Sequence, residues 1–362
     1  MESIMRIAIV HDALCVAGGA ERLVLSMAKS FPEASIYTSV YLPDHTFQEF
    51  KDLNVHVLPF ARYVKSEAQF KSLLPLWFFL IRRLDFKDFD VVLSSSTYLT
   101  KYIHPANTVS HKSYLHAPFR LLWKPESYTS ESIPNPHIFR PILKVMLPLL
   151  RNWDRRLTRQ IPEIATSCNH VAQEIATVYG LPSTIINPPV KCVEYPLATT
   201  LGNYYLSVSR LISHKRVDLT VQACTQLHKK LIVVGDGPER EKLEQMAGDT
   251  VRFVGRVSDE ELKELYVNSK ALIFPSYEDY GITPLEAQAC GRPVIAFGRG
   301  GVLETVVNER TGLFFEDQAK ESLIKSLLRF EEMKFNPKEI RIWAEKFDFE
   351  KFKENIQKFV LE

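Results

Sequence analysis

Residues 204–257 read YYLSVSRLISHKRVDLTVQACTQLHKKLIVVGDGPEREKLEQMAGDTVRFVGRV. Short apolar runs (YYLSVS, KLIVVGD, VRFVGRV) alternate with amphipathic stretches (VDLTVQACTQL, PEREKLEQMA). Apolar runs this brief suit strands covered on both faces, and the segments between them are long enough to cross a sheet as helices. The alternation continues through DEELKELYVNSK, ALIFPS, ITPLEAQACG and PVIAFG. It predicts an α/β fold with a parallel, doubly wound sheet.

The same grammar runs through the first half of the chain. MRIAIVH reads as a strand, a glycine-containing loop follows, and AERLVLSMAKSF reads as a helix. ASIYTSV, FDVVLSSS, KSYLHA, EIATS and STIINPPV are further strand candidates. NHVAQEIATVYG reads as a helix with Asn169 as N-cap and Gly180 just past its end. Two such series in tandem predict two Rossmann-like domains, with the boundary in NPPVKCVEYPLATTLGN at 187–203. The expected division is a first domain at 1–195, a second at 196–342 and a terminal helix within 343–362. That helix places Phe349, Phe352, Ile356, Phe359 and Val360 on one face, which must dock against something.

With 362 residues, 46% of them hydrophobic, the chain is long enough for two separate cores. The net charge of +2 hides an asymmetry: Arg62 to Gln160 hold 16 Lys/Arg against 7 Asp/Glu. An excess of +9 there suggests an anionic partner or surface. The five cysteines are scattered, with no C-x-x-C pair, as expected of reduced thiols in a cytoplasmic protein. IMRIAIV is too short for a secretory signal, and no run approaches the roughly 18 apolar residues of a spanning helix. Any membrane contact is expected to be peripheral.

Open α/β sheets bind ligands beyond the carboxyl ends of their strands. In the second half, Arg210 follows a strand, and Lys215 and Arg216 precede a helix. A planar guanidinium and a mobile ammonium beside helix amides suit a diphosphate; a solvated basic loop is the plainer reading. Glu278 and Glu286, in SYEDYGITPLEAQACGRPVIAFGRGG, stand eight apart, one in a loop and one in a helix. The amides of Gly281, Ile282 and Thr283 lie between them at the helix start. One extended ligand fits that layout, its anionic middle at the amides and hydroxyl-rich groups at the carboxylates. A capping glutamate and a surface glutamate are the alternative.

In the first half, Gly18 and Gly19 open a helix, and His116 in SYLHAPFR follows a strand. GDGPER, HDALCVAGGAE and GRGGV all fail to complete G-x-G-x-x-G, which disfavours a nicotinamide dehydrogenase. The acids of DFKDFD at 85–90 lead into a strand and are read as solvating its entrance rather than binding metal. FKSLLPLWFFLIRRL (70–84) and IFRPILKVMLPLLRNWDRRLTR (138–159) are apolar with basic flanks, as core helices or an interfacial surface would be. Nucleic-acid binding is disfavoured, because the basic residues are not interleaved with a stacking motif.

Taken in order, the Gly18-Gly19 loop with Glu21, the His116 segment, Arg210 with Lys215, the E-x7-E of Glu278 and Glu286, and GRPVIAFGRGG resemble family 4 of the retaining glycosyltransferases. The resemblance covers essentially the whole chain. It implies the two-domain GT-B fold, a nucleotide-sugar donor in a cleft and a C-terminal helix crossing back to the first domain. It assigns Arg210, Lys215, Gly18 and Gly19 to the donor diphosphate. Glu278 and the backbone of Gly281, Ile282 and Thr283 then meet the transferred sugar and phosphates, and Glu286 the ribose. Val257 and Asp259 lie where the base docks, and His116 at the reacting sugar. KRVDLTVQA, VVGDGPERE and YGITPLEAQACGRPVIAFGRGG look most like bacterial polysaccharide and O-antigen mannosyltransferases. That likeness implies GDP-mannose as co-substrate, no metal or other cofactor, a lipid-linked saccharide acceptor and a place on the cytoplasmic face of the inner membrane. A UDP-sugar donor, an epimerase of the same fold and a silent nucleotide-sugar-binding module remain as alternatives.

Overall fold

The computed structural model describes residues 5–125, 136–200 and 202–362. It divides into two compact units, Met1–Asn187 with Phe352–Glu362, and Pro188–Lys351.

The first unit is built on β1 (Ile7–His11), β2 (Ser35–Thr38), β3 (Val55–Val57), β4 (Val91–Ser96), β5 (Ser110–Leu115), β6 (Glu163–Thr166) and β7 (Thr184–Ile185). All pair in parallel, in the order β3-β2-β1-β4-β5-β6-β7. Its helices are α1 (Gly19–Ser30), α2 (Glu67–Ser72), α3 (Leu74–Ile81), α4 (Arg120–Trp123), α5 (Pro136–Thr158) and α6 (Asn169–Tyr179). β1 and β4 are buried along their whole length, which is why their sequences are near-continuous apolar or small-residue runs. One core cluster joins Ala8, Val10 and Val92 to Phe70, Trp77 and Ile81.

The second unit holds β8 (Tyr205–Val208), β9 (Leu231–Val234), β10 (Val251–Gly255), β11 (Ala271–Phe274), β12 (Val294–Phe297) and β13 (Gly312–Phe315). They too are parallel, in the order β10-β9-β8-β11-β12-β13. Around them lie α7 (Val217–Gln226), α8 (Arg240–Gln245), α9 (Asp259–Asn268), α10 (Thr283–Ala289), α11 (Val302–Thr305), α12 (Lys320–Glu332) and α13 (Pro337–Ala344). A last helix, α14 (Phe349–Leu361), buries Phe352, Ile356, Phe359 and Val360. Its residues from Phe352 onward belong to the first unit. There Lys112 Nζ donates to the Phe359 carbonyl at 2.6 Å and Gln357 donates to that of Ser30 at 2.9 Å.

The sequence reading names no element between PVIAFG and the terminal helix, so β13, α11, α12 and α13 are absent from it, and two further details differ. β3 is an extra edge strand of three residues, and Val57 at its end is 49% exposed, so it carries no buried run to betray it. α6 begins at Asn169 itself, with extended Cys168 as its N-cap, while Gly180 at φ +70° closes it as expected.

In both sheets the strand order reverses once, between β1 and β4 and between β8 and β11. Neighbouring strands there send their connections to opposite faces, which opens a crevice at the carboxyl edge where doubly wound sheets take ligands.

Candidate active site

In the second unit, the reversal brings together the segments after β8 and β11. Arg210 stands two residues past β8, exposed and without an ion pair among the described residues. Lys215 ends the single turn Ser213–Lys215, and its Nζ lies 2.6 Å from Oε1 of Glu278, beyond β11. The Ser276 hydroxyl donates to the same oxygen at 2.7 Å. Burial alone would raise the Glu278 carboxyl, but the Lys215 ammonium and these hydrogen bonds hold it below the usual carboxylate range. Arg216 is engaged otherwise, its fork spent on both oxygens of Asp218 at the start of α7.

The glycine-rich tail has a structural part in holding Glu278. Gly301 N donates to the Glu278 carbonyl at 3.0 Å, and a Cβ on Gly300 would lie 2.4 Å from that oxygen. Only a residue without a side chain lets the two backbones approach so closely.

Gly281, at φ +85°, turns the chain into α10; Ile282 is its N-cap and Thr283 its first residue. The first amides of a helix have no intrahelical acceptor, so they remain available to a ligand. Glu286 is buried in α10, and its Oε2 accepts from the hydroxyl of Tyr266 on α9 at 2.8 Å. Val257 is half-buried, and exposed Asp259 opens α9 just after Ser258, which forms a capping box with Glu261. The structure thus joins Lys215 to Glu278 and places Glu286 on the adjoining helix. Sequence reasoning missed Ser276 and Tyr266; Tyr266 looks like any aromatic on the buried face of a helix.

In the first unit, Gly18 is the N-cap of α1 and Gly19 its first residue. Glu21, in the first turn, is buried, and its Oε1 lies 3.8 Å from Nε2 of His11 at the end of β1. His11 Nδ1 is 3.2 Å from both the carbonyl and the hydroxyl of Ser95 on β4. That hydroxyl is 2.9 Å from Nε2 of His116, just beyond β5. Burial, reinforced by His11 and Arg120, pushes the His116 ring down to about 3. Burial also opposes charge on His11, yet Glu21, Asp12 and the Ser95 carbonyl together raise it above its ordinary value.

Asp12 completes this edge. Its carboxylate accepts the amides of Thr97, Tyr98, Leu99 and Thr100 at 2.6–3.0 Å, fixing the loop after β4. The sequence did carry a hint of His11 and Asp12, since a polar pair closing an apolar strand is unusual. Ser95, inside SSS, offered none.

The two apolar segments prove double-sided. Phe70, Trp77 and Ile81 are core, whereas Leu73, Leu76 and Phe79 are exposed. On α5, Met146, Leu149 and Trp153 are exposed and Asp154 and Thr158 are buried. The Phe78 and Trp153 rings meet at 4.8 Å, linking α3 to α5. The side chains of 138–145 lie outside the described residues. Within 85–90, Asp90 accepts the Arg6 amide at 2.7 Å and Asp85 that of Lys87 at 3.1 Å. Among the described residues, no helix is long and apolar enough to cross a membrane.

Residues 17–193 match the family model described as Glycosyltransferase Family 4, and residues 198–347 the one described as Glycosyl transferases group 1. The chain is 24% identical over 431 residues to the alpha-1,3/1,6-mannosyltransferase ALG2 of Dictyostelium discoideum, covering 99% of this chain and 98% of that one. It is 34% identical over 123 residues to the GDP-mannose-dependent alpha-(1-6)-phosphatidylinositol monomannoside mannosyltransferase of Mycolicibacterium smegmatis, covering 29% and 32%. Among solved structures, sucrose-phosphate synthase from Thermosynechococcus elongatus is similar with a TM-score of 0.75, at 16% identity and 98% coverage of each chain. Anabaena Alr3699/HepE in complex with UDP gives 0.74, at 14% identity and coverage of 98% and 99%.

Proposed function

This chain belongs to the family 4 glycosyltransferases, and from that premise we propose that it is a retaining, metal-independent mannosyltransferase using GDP-mannose. The acceptor we infer is a lipid-linked or oligosaccharide chain in cell-surface polysaccharide synthesis. The observation that carries this reading is the Lys215–Glu278 pair at the crevice between β8 and β11. The activities for which the two mannosyltransferase relatives are named support the choice of sugar, and one of them the choice of nucleotide.

On this reading, Arg210 and Lys215 receive the leaving diphosphate, and Glu278 with the amides of Gly281, Ile282 and Thr283 holds sugar and phosphate. Glu286, one oxygen of which is oriented by Tyr266, takes the ribose hydroxyls. His116 meets the reacting sugar. The bond from the anomeric carbon to phosphate breaks through an oxocarbenium-like transition state. The acceptor hydroxyl bonds to that carbon from the face the nucleotide leaves, and its proton passes to the departing phosphate. Lys215 is poised for this work because its charge is balanced by Glu278 until a diphosphate arrives. Cations fixed beforehand where negative charge grows lower the barrier without solvent reorganisation.

Thermal-shift measurements with GDP, UDP, ADP, CMP and then GDP-mannose test the donor, and the expected result is stabilisation by GDP and GDP-mannose above the others. Transfer should persist in excess chelator. Lys215→Ala is expected to lose about 10²–10³ in kcat, or roughly 2.7–4 kcal/mol of barrier. Unchanged turnover in that variant would overturn the assignment.

A further inference from the structure

We propose that Glu21, His11 and Ser95 form a positioning relay that holds His116 as the neutral tautomer with its hydrogen on Nδ1. The proposal rests on the reading that His116 meets the reacting sugar, and it names the state in which the ring does so.

The Ser95 carbonyl accepts hydrogen bonds and cannot donate. His11 Nδ1, 3.2 Å away, must therefore carry a hydrogen. Its other nitrogen faces the Glu21 carboxylate at 3.8 Å, an ion-pair distance that favours a hydrogen there as well. The Ser95 hydroxyl, also 3.2 Å from His11 Nδ1, is then beside a donor and has no use for its own hydrogen on that side. It is free to direct that hydrogen to His116 Nε2 at 2.9 Å. A ring nitrogen that accepts is bare, so the single hydrogen of neutral His116 resides on Nδ1.

The surroundings agree. Facing His116 are His11 on β1, with ring centroids 6.5 Å apart, Ser95 on β4, Tyr114 on β5 at 5.4 Å between centroids, and Arg120 on α4. The acids of this edge, Glu21 and Asp12, act on His11. Among the described residues, a second imidazolium would therefore stand among cations without a carboxylate of its own. The chemistry favours the same state. A neutral Nδ1–H can donate to a hydroxyl of the sugar, whereas an imidazolium would repel the positive charge that develops at the anomeric carbon.

The full-length chain, labelled with ¹⁵N-histidine and free of ligand, reports the tautomer directly through long-range ¹H–¹⁵N correlations. The signals of His116 are identified by their loss in His116→Asn. The expected result near pH 7 is the Nδ1–H pattern for His116, replaced by a mixture of tautomers in Ser95→Ala and recovered in Ser95→Thr. Turnover should fall about tenfold in Ser95→Ala, the scale of one hydrogen bond, with KM little changed. An Nε2–H or doubly protonated His116 in the unmodified chain overturns the relay, as does a Ser95→Ala spectrum identical to it. Should Ser95→Ala fail to fold, the spectrum of the unmodified chain still decides. Because the spectrum is read without substrate, an intact Nδ1–H signature with no transfer activity would sink the transfer reading and leave the relay standing.

Discussion

Asp154 on α5 has no exposed surface, and both its carboxylate oxygens are occupied. Lys101 Nζ lies 2.7 Å from Oδ1, which also accepts from the Tyr102 hydroxyl at 2.5 Å, while Oδ2 accepts from Trp123 at 2.5 Å and Tyr179 at 2.9 Å. Burial alone would raise this carboxyl; Lys101 and the surrounding donors hold it below its ordinary value. Asp154→Ala would strand a lysine that is 2% exposed, and a loss of about 3–5 kcal/mol is expected in urea unfolding. Replacing the pair together, as Lys101→Met with Asp154→Leu, should cost far less, because no buried charge is then left alone. In the sequence, Asp154 is merely a charge interrupting an apolar helix, and nothing local points to Lys101 or to Tyr179. Lys215 and Glu278 were better marked, since charged residues just past apolar strands have few structural reasons to be there.

At the scale of elements, Glu331 ties α12 to the second sheet. Its Oε1 accepts from Tyr205 on β8 at 2.7 Å and pairs with Lys229, just before β9, at 2.9 Å; its other oxygen pairs with Lys270, just before β11. Burial pushes this carboxyl up, but hydrogen bonds from Lys270, Tyr205 and Lys229 prevail and bring it to about 2. A folded value below the unfolded one, about 4.3, means the contribution is complete above the unfolded value. It fades as pH falls from about 4 toward about 2. Glu331→Gln is expected to cost about 1–2 kcal/mol at pH 6, discounted for partial exposure, with the difference from the parent vanishing near the acid limit. Unfolding curves across that pH range check it. The elements themselves were largely legible, because strands sandwiched between helix layers must be apolar and helix faces must be periodic. β3 escaped because a short edge strand meets neither condition.

For the molecule as a whole, the first unit concentrates basic charge in sequence and exposes Leu76, Phe79, Leu149 and Trp153 on two helices linked by Phe78 and Trp153. Arg83 lies over the Phe79 ring at 3.9 Å, an apolar group backed by a cation, the pairing that suits an anionic interface. We expect the protein to float with anionic vesicles, less with zwitterionic ones, and less again at high salt. Phe79→Ser with Leu149→Ser should lower recovery in the floated fraction without changing nucleotide-induced stabilisation. Equal binding to both vesicle types would argue against an electrostatic dock.

Local sequence specified the two parallel α/β series, the loops that would bear charge and the glycines at their turns, because each answers to burial or backbone geometry within a few residues. It could not specify who meets whom. Lys215 finds Glu278 across 63 residues and Asp12 finds the amides of 97–100 across 85 to 88. Those meetings exist because β11 lies beside β8 and β4 beside β1. Which parallel strands become neighbours is settled by the packing of the assembled sheet, and no stretch of chain short enough to have its own periodicity records it.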